Sequence, residues 1–303
     1  MKTRQYRFGV EIEVVINRDN KVECMTQLEA LEAVNVTTDG SIQYDDGECG
    51  IEIRVGVLTL SDMEVRIKQV CEILNRHNCR VNKTTGLHVH ISNKRFFISK
   101  QLANILKTWI AIEDVLISTQ PRSRFSNQYC RRQLAKVIKN SSKITSYKDK
   151  QDFKDQFSSY DRYMTLNLNS LYKHGTLECR LHSGTTEAKK INNWLNLILS
   201  VFDYALDRYD PVKIKTLFEM STSEDKINKV FELLSVDKSL IEFYNARISK
   251  FLLPNLAIQQ EAAVKYMAIK PELNKLEKKA NDMQNVLSSK RREADRFLCA
   301  FNM

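Results

Sequence analysis

The sequence predicts an α+β fold: a curved, mainly antiparallel sheet with helices on one face and a candidate active face on the other, followed by a helical C-terminal region. Three observations predict it. Short period-2 runs put apolar residues on one side of each strand and charged ones on the other. All eight glycines lie at or before Gly184, and three of the four prolines lie at or after Pro211. Beyond Pro211 the apolar spacing is helical almost throughout. The expected organisation is a first domain over residues 1–210 and a helical extension over 211–303 for packing or assembly.

The elements follow in order. Tyr6–Ile16 reads as a strand, with Glu11 and Glu13 alternating against Val10, Ile12 and Val14. Val22–Ala33 reads as a short helix, and Thr37–Ile42 leads to the turn Asp45-Asp46-Gly47 and a strand over Gly50–Val57. Ser61, with Glu64 three residues on, is the expected cap of a helix over Asp62–Asn78. A strand over Leu87–Ser92 precedes helices over Ser99–Ser118 and Asn127–Ile138. The polar stretch Asn140–Tyr160 reads as a long loop or lid. Strands over Arg162–Leu171 and Gly175–Ser183 flank a turn at Tyr172-Lys173-His174, and a helix covers Glu187–Asp207. The helical tail is broken at Pro254 and Pro271, and the last helix lacks a coiled-coil seam.

Composition narrows the function classes. Hydrophobic residues at 43% and charged ones at 28% are ordinary globular values. No apolar run reaches the roughly 18 residues that span a bilayer, and the first residues lack a signal peptide's apolar core. A cytoplasmic protein is expected. The seven cysteines are scattered, without C-x-x-C spacing, and read as buried free thiols. The net charge is +10, and much of the excess positive charge falls between Lys94 and Lys154. It suits a nucleic-acid binder or an enzyme handling anionic substrates.

The residues of the polar strand faces carry the chemistry. Glu11 and Glu13, then His88 and His90, then Glu178, Arg180 and His182 each recur at i, i+2, so each set shares a face. Glu52 with Arg54, and Asn167 with Asn169, repeat the pattern. A merely solvated strand face is filled with Thr, Lys, Ser, Arg and Gln. Here it concentrates Glu and His, and adjacent carboxylates repel unless a cation lies between them. Carboxylates with one or two imidazoles suit magnesium or manganese. Zinc on His88 and His90 with His182 or Cys179 is the alternative. No glycine loop of the phosphate-cradling type is present.

Phe8-Gly9-Val10-Glu11-Ile12-Glu13, Asp39-Gly40-Ser41, Gly50-Ile51-Glu52-Ile53-Arg54, Gly86-Leu87-His88-Val89-His90-Ile91-Ser92 and Gly175-Thr176-Leu177-Glu178-Cys179-Arg180-Leu181-His182 together resemble the amidoligase family. Its members are relatives of glutamine synthetase and γ-glutamyl-cysteine ligase. The resemblance runs in order over Arg7–Trp194 and implies a glutamine synthetase-like catalytic domain. It implies a metal set of Glu11, Glu13, Glu52, His88 and Glu178, with Glu48 a weaker member. It also implies His90 near the nucleotide, Arg180 on transferring phosphate or substrate carboxylate, and catalytic roles for Arg180, Glu178 and Glu13. Arg54, Arg131 and Arg132, with Arg122 and Arg124 nearby, are the expected cofactor-binding cations.

The implied activity is an ATP- and magnesium-dependent (or manganese-dependent) carboxylate–amine ligase. It would work through an acyl phosphate on a glutamyl-type or peptide substrate, with self-association by analogy to ring-forming relatives. Two rivals come from the residues alone. One is a zinc hydrolase using His88 and His90. The other is a basic nucleic-acid-binding protein on a degenerate ligase fold.

Overall fold

Strand β1 (Arg7–Asn17) is the spine of the molecule: it pairs antiparallel with β3 (Glu48–Leu58) on one side and β4 (Gly86–Ser92) on the other. This is a computed structural model, and it describes residues 6–125, 127–133 and 162–251, with scattered positions between 271 and 290. Six antiparallel strands form one sheet in the order β2-β3-β1-β4-β6-β5, with β2 at Val34–Thr38, β5 at Leu166–Asn167 and β6 at Leu177–Ser183. The fold is α+β. Val10, Ile12 and Val14 are buried on one face, where helices α2 (Leu60–Arg76), α3 (Ser99–Ser118) and α6 (Ala188–Asp203) supply the core. Burying those side chains contributes about 1.5–3 kcal/mol each, which fixes the strand register and so aims the alternate residues at the opposite face.

Several elements differ from the sequence reading. Helix α1 covers Arg18–Glu29, four residues earlier than expected, because the Asn17 side chain caps it. Thr59, not Ser61, caps α2 by accepting from Asp62 N at 3.3 Å, which leaves Ser61 inside the first turn. The residues expected to run as strand to Leu171 pair with β6 only at Leu166 and Asn167. Asn167 Oδ1 accepts from Asn169 N at 2.9 Å, and the chain then winds into a helical turn, α5 (Ser170–His174). Gly175, at φ +69°, ends it in a left-handed conformation that residues with a Cβ avoid.

A four-residue helical turn, α4 (Arg122–Phe125), follows α3, but residues 127–133 are not helical: Asn127 closes a turn, and Arg131 bridges to Met164. The remainder of that expected helix and the whole of the expected loop at 140–160 lie outside the described residues. The tail is more broken than expected, with α7 (Pro211–Glu219), α8 (Glu224–Leu234) and α9 (238–251) separated at 220–223 and 235–237. Helices α7 and α8 pack on α3, within a compact unit that ends at Phe251; a second unit spans Leu252–Met303. The expected breaks at Pro254 and Pro271 concern that second unit and lie outside the described residues, apart from isolated positions. No helix of the described residues is long and apolar enough to cross a membrane. All six described cysteines are free, and five of them are buried.

Candidate active site

The register of the sheet turns sequence-distant residues into neighbours. Opposite Glu11 stand Arg54 on β3 and His88 on β4; opposite Glu13 stands Glu52; opposite His90 stands Glu178, which in turn faces Asn167. All of these line one cavity of about 280 Å³ on the face away from the helices, together with Asp39, Ser41, Thr84, Arg124, Tyr129, Arg162, Tyr163, Ser170, Lys173, His174 and Arg180. Arg131 and Arg132 are exposed and do not line it. Glu48 also points elsewhere, bound to Arg80.

The carboxylates and imidazoles interlock. Glu11 holds both histidines, with Oε2 at 3.1 Å from His88 Nδ1 and Oε1 at 3.3 Å from His90 Nε2. Glu13 accepts from Gly86 N at 2.6 Å, and its other oxygen lies 3.6 Å from His88 Nε2. Asn167 donates to Glu178 at 2.6 Å, and Arg180 pairs with the other oxygen of Glu178. His90 is fixed from behind by Thr176 at 2.9 Å and Ser170 at 3.2 Å, two hydroxyls that sequence reasoning did not single out. Arg54 reaches Glu52 at 2.5 Å.

Protonation follows from this packing. Burial would raise the Glu11 carboxyl, yet its bonds to His88 and His90 outweigh burial and hold it well below the usual carboxylate range. Burial likewise opposes ionisation of Glu178, but the positive fields of His88 and Arg180 bring it down. Glu52 is raised, by burial first and by the Glu11 charge second. His90 is raised despite burial, through its bond to Glu11 and the charge of Glu178. The imidazoles and arginines thus offset part of the negative charge that the clustered carboxylates bring together.

The donor set fits a hard divalent ion. Three groups each bring possible ligand atoms within 4.8 Å of one another: Glu11, His90 and Glu178; Glu11, Glu52 and His88; Glu13, Asp39 and Glu52. Oxygen dominates every group. The zinc alternative needs His88 and His90 on one ion, but they enter different groups. Nor do His182 or Cys179 join them. A bulge between Leu87 and Val89 shifts the β4–β6 pairing, so that His182 lies opposite Leu87, a residue of the apolar face. It packs there on Trp194, with ring centroids 5.2 Å apart, and burial drives its pKa well down. The expectation that His182 shares a face with Glu178 and Arg180 is therefore corrected. Cys179 is fully buried with its thiol pushed well up. Asp39 is the ligand-type residue that the metal set lacked, and its only signal was the Asp-Gly-Ser triplet.

A family model described as "Putative amidoligase enzyme" matches residues 4–202, about two thirds of the chain. The chain belongs to this amidoligase family. The match covers every residue that lines the cavity. Among solved structures, the cryo-EM structure of glutamine synthetase from Plasmodium falciparum is similar, at 9% identity over 85% of this chain and 73% of that one, with a TM-score of 0.42. A search of curated proteins found no match.

Proposed function

We propose that this amidoligase family member joins a carboxylate to an amine at the expense of ATP, through an acyl phosphate, with magnesium or manganese. The observation that carries the reading is the polarised cavity, with buried Glu13, Glu52 and Glu178 facing arginine and lysine side chains. Two anions, a carboxylate and a triphosphate, repel each other as they meet, and a site with both ligand carboxylates and cations can hold both. Glu11, Glu13, Glu52, His88 and Glu178, with Asp39, would hold the divalent ions. When bound, such ions supply charge neutralisation on phosphate oxygens.

The chain's own residues do the rest. Arg180 turns a planar fork toward the cavity from its pairing with Glu178, suited to charge that develops during phosphoryl transfer. Its Nε–H donates to the Tyr129 carbonyl at 3.4 Å, which orients the fork. His90 and Arg54 would meet the nucleotide, and a carboxylate of the cluster, Glu13 or Glu178, would accept the proton of the attacking amine. Catalysis is assigned to residues 1–210, because every lining residue lies between Glu11 and Arg180. A glutamyl-type or peptide donor is the substrate class that the family resemblance favours.

The test is a coupled ADP-release assay across glutamyl donors and amine acceptors, with and without magnesium. Magnesium-dependent ADP release with at least one pair is expected. Equal ATP affinity in magnesium and in EDTA, with no ADP release from any pair, would sink the ligase reading.

A further inference from the structure

Glu113 is a buried carboxylate outside the cavity, in the body of α3, at 5% exposure. Its Oε1 accepts from Gln133 N at 3.0 Å and from the Thr165 hydroxyl. Trp109, one turn earlier on α3, donates from Nε1 to that same hydroxyl at 3.1 Å. These partners are neutral. Burial pushes the Glu113 carboxyl up, and the bonds from Thr165 and Gln133 oppose it. If packing were the only need, an apolar side chain of similar size would cost less. What the carboxylate offers instead is one acceptor that takes two donors in fixed directions, the kind of satisfied network that makes buried chain rigid.

The two donors belong to different stretches of chain. Residues 129–133 and 163–166 run side by side at a single parallel bridge, Arg131 to Met164, with Arg131 N donating to Tyr163 O at 2.7 Å and Thr165 N to Arg131 O at 2.8 Å. A pairing this short is marginal by itself, and Glu113 ties both stretches to α3. Gln133 adds a bond of 2.6 Å from Nε2 to the Leu166 carbonyl. Arg180 is held by both stretches. Its N donates to Thr165 O at 2.9 Å, its Nε donates to Tyr129 O at 3.4 Å, and its guanidinium carbon lies 5.8 Å from the centre of the Tyr163 ring. Asn167, two residues past Thr165, holds Glu178, the partner of Arg180.

We propose that Glu113 is a positioning residue: from within the core it fastens the two stretches that hold the Arg180 guanidinium, and so sets the direction in which that fork meets the cavity. The kinetic consequence rests on the ligase reading. The placement of Arg180 does not.

The experiment compares the full-length wild type with Glu113→Gln, Glu113→Met and Thr165→Val. Each is measured by coupled ADP release, by melting temperature, and by the nuclear magnetic resonance signal of the Arg180 Nε–H in protein labelled with ¹⁵N-arginine. That signal is assigned by its loss in Arg180→Lys, and Arg80, bonded through its own Nε to Glu48, is the internal control. Glu113→Met removes the acceptor. Its kcat is expected to fall at least tenfold with KM for ATP within twofold, and its Arg180 signal to shift and exchange faster while that of Arg80 stays. Glu113→Gln keeps an acceptor oxygen and should stay within threefold of wild type in kcat, with the Arg180 signal unmoved. A lowered melting temperature in Glu113→Met with wild-type kcat and an unmoved Arg180 signal overturns the proposal, because the role is then structural alone. A loss in Glu113→Gln as large as in Glu113→Met also overturns it, since the acceptor oxygen is then not what matters. Should Glu113→Met fail to fold, Thr165→Val, which removes one of the two bonds, carries the same comparison, with at least a threefold fall in kcat expected and wild-type values overturning. If wild type releases no ADP with any pair, the ligase reading sinks, and the Arg180 signal alone decides: moved in Glu113→Met it upholds the positioning role, unmoved it overturns it.

Discussion

One wall of the cavity is made by three adjacent strands, β3, β1 and β4, and carries Glu52, Glu13, Glu11 and His88 in regular cross-strand rows. The opposite wall gathers cations from irregular chain: Arg124 from a four-residue helical turn, Arg162 from a turn, and Lys173 and His174 from the short α5. Arg180 on β6 joins the two. Regular pairing fixes side-chain direction to the pleat, so an acidic residue at the right parity cannot miss the site. Irregular chain has no such rule, and Arg124 there is placed by its own hydrogen bonds to the Leu181 and Arg180 carbonyls.

The comparison is broken most severely by attacking the apolar face beneath the acidic wall. Val10 is 1% exposed and lies between Gly9 and Glu11 on β1. Val10→Asp buries a charge without a partner and is expected to destabilise the domain by on the order of 3–5 kcal/mol. Glu13→Gln, three residues on and facing the cavity, keeps an acceptor for Gly86 N and relieves like-charge repulsion. Its melting temperature should stay at or above that of wild type while magnesium-dependent turnover is lost. Urea titrations of the two variants check this, and equal destabilisation would refute the two-faced strand.

That contrast also shows what was legible in the sequence. The acidic wall was readable because parity along a strand is visible in residue order, and Glu11, Glu13, Glu52, His88 and Glu178 all meet in the cavity. The strand β2 was missed because Val34–Thr38 is short and lies at the sheet edge. His182 was misplaced because a one-residue bulge leaves no mark in the apolar–polar alternation. Arg124 was visible only as one of several arginines, and its burial beside Gly86 depends on a contact between distant segments.

His182 supplies the next effect in size. Its pKa lies well below the usual histidine value because burial excludes the charged form. The unfolded chain, with a value near 6.5, therefore binds the proton first as pH falls. Stability should be intact above that value and should fall by about 1.4 kcal/mol per pH unit below it from this one group. Denaturant midpoints of wild type and His182→Phe between pH 7 and pH 5 test this. A slope unchanged by the substitution would place the proton uptake elsewhere.

Where the two walls join, Arg180→Lys keeps the charge and loses the fork that pairs with Glu178. Interaction with developing charge affects turnover more than ground-state binding. ADP release is expected to fall at least tenfold, about 1.4 kcal/mol in barrier, with ATP affinity within twofold. A variant matching wild-type turnover would remove Arg180 from the transfer step.

Arg54 is the sharpest small test, because it is the one arginine or lysine of the acidic wall's strands that lines the cavity. Its side chain is 54% exposed while its partner Glu52 is 7% exposed, at 2.5 Å. A half-exposed pair of this kind contributes at most about 1 kcal/mol, so Arg54→Gln should leave the melting temperature nearly unchanged. Two outcomes then distinguish its role. If Arg54 serves only to neutralise Glu52, the substitution alters neither KM for ATP nor turnover once magnesium saturates the carboxylates. If it meets the nucleotide, as its position at the cavity mouth favours, KM for ATP rises a few-fold with kcat unchanged, because an exposed cation binds ground state and transition state alike. The second result is expected. A fall in kcat at constant KM would instead give Arg54 the kind of role assigned to Arg180, and the division of labour between the two walls would fail.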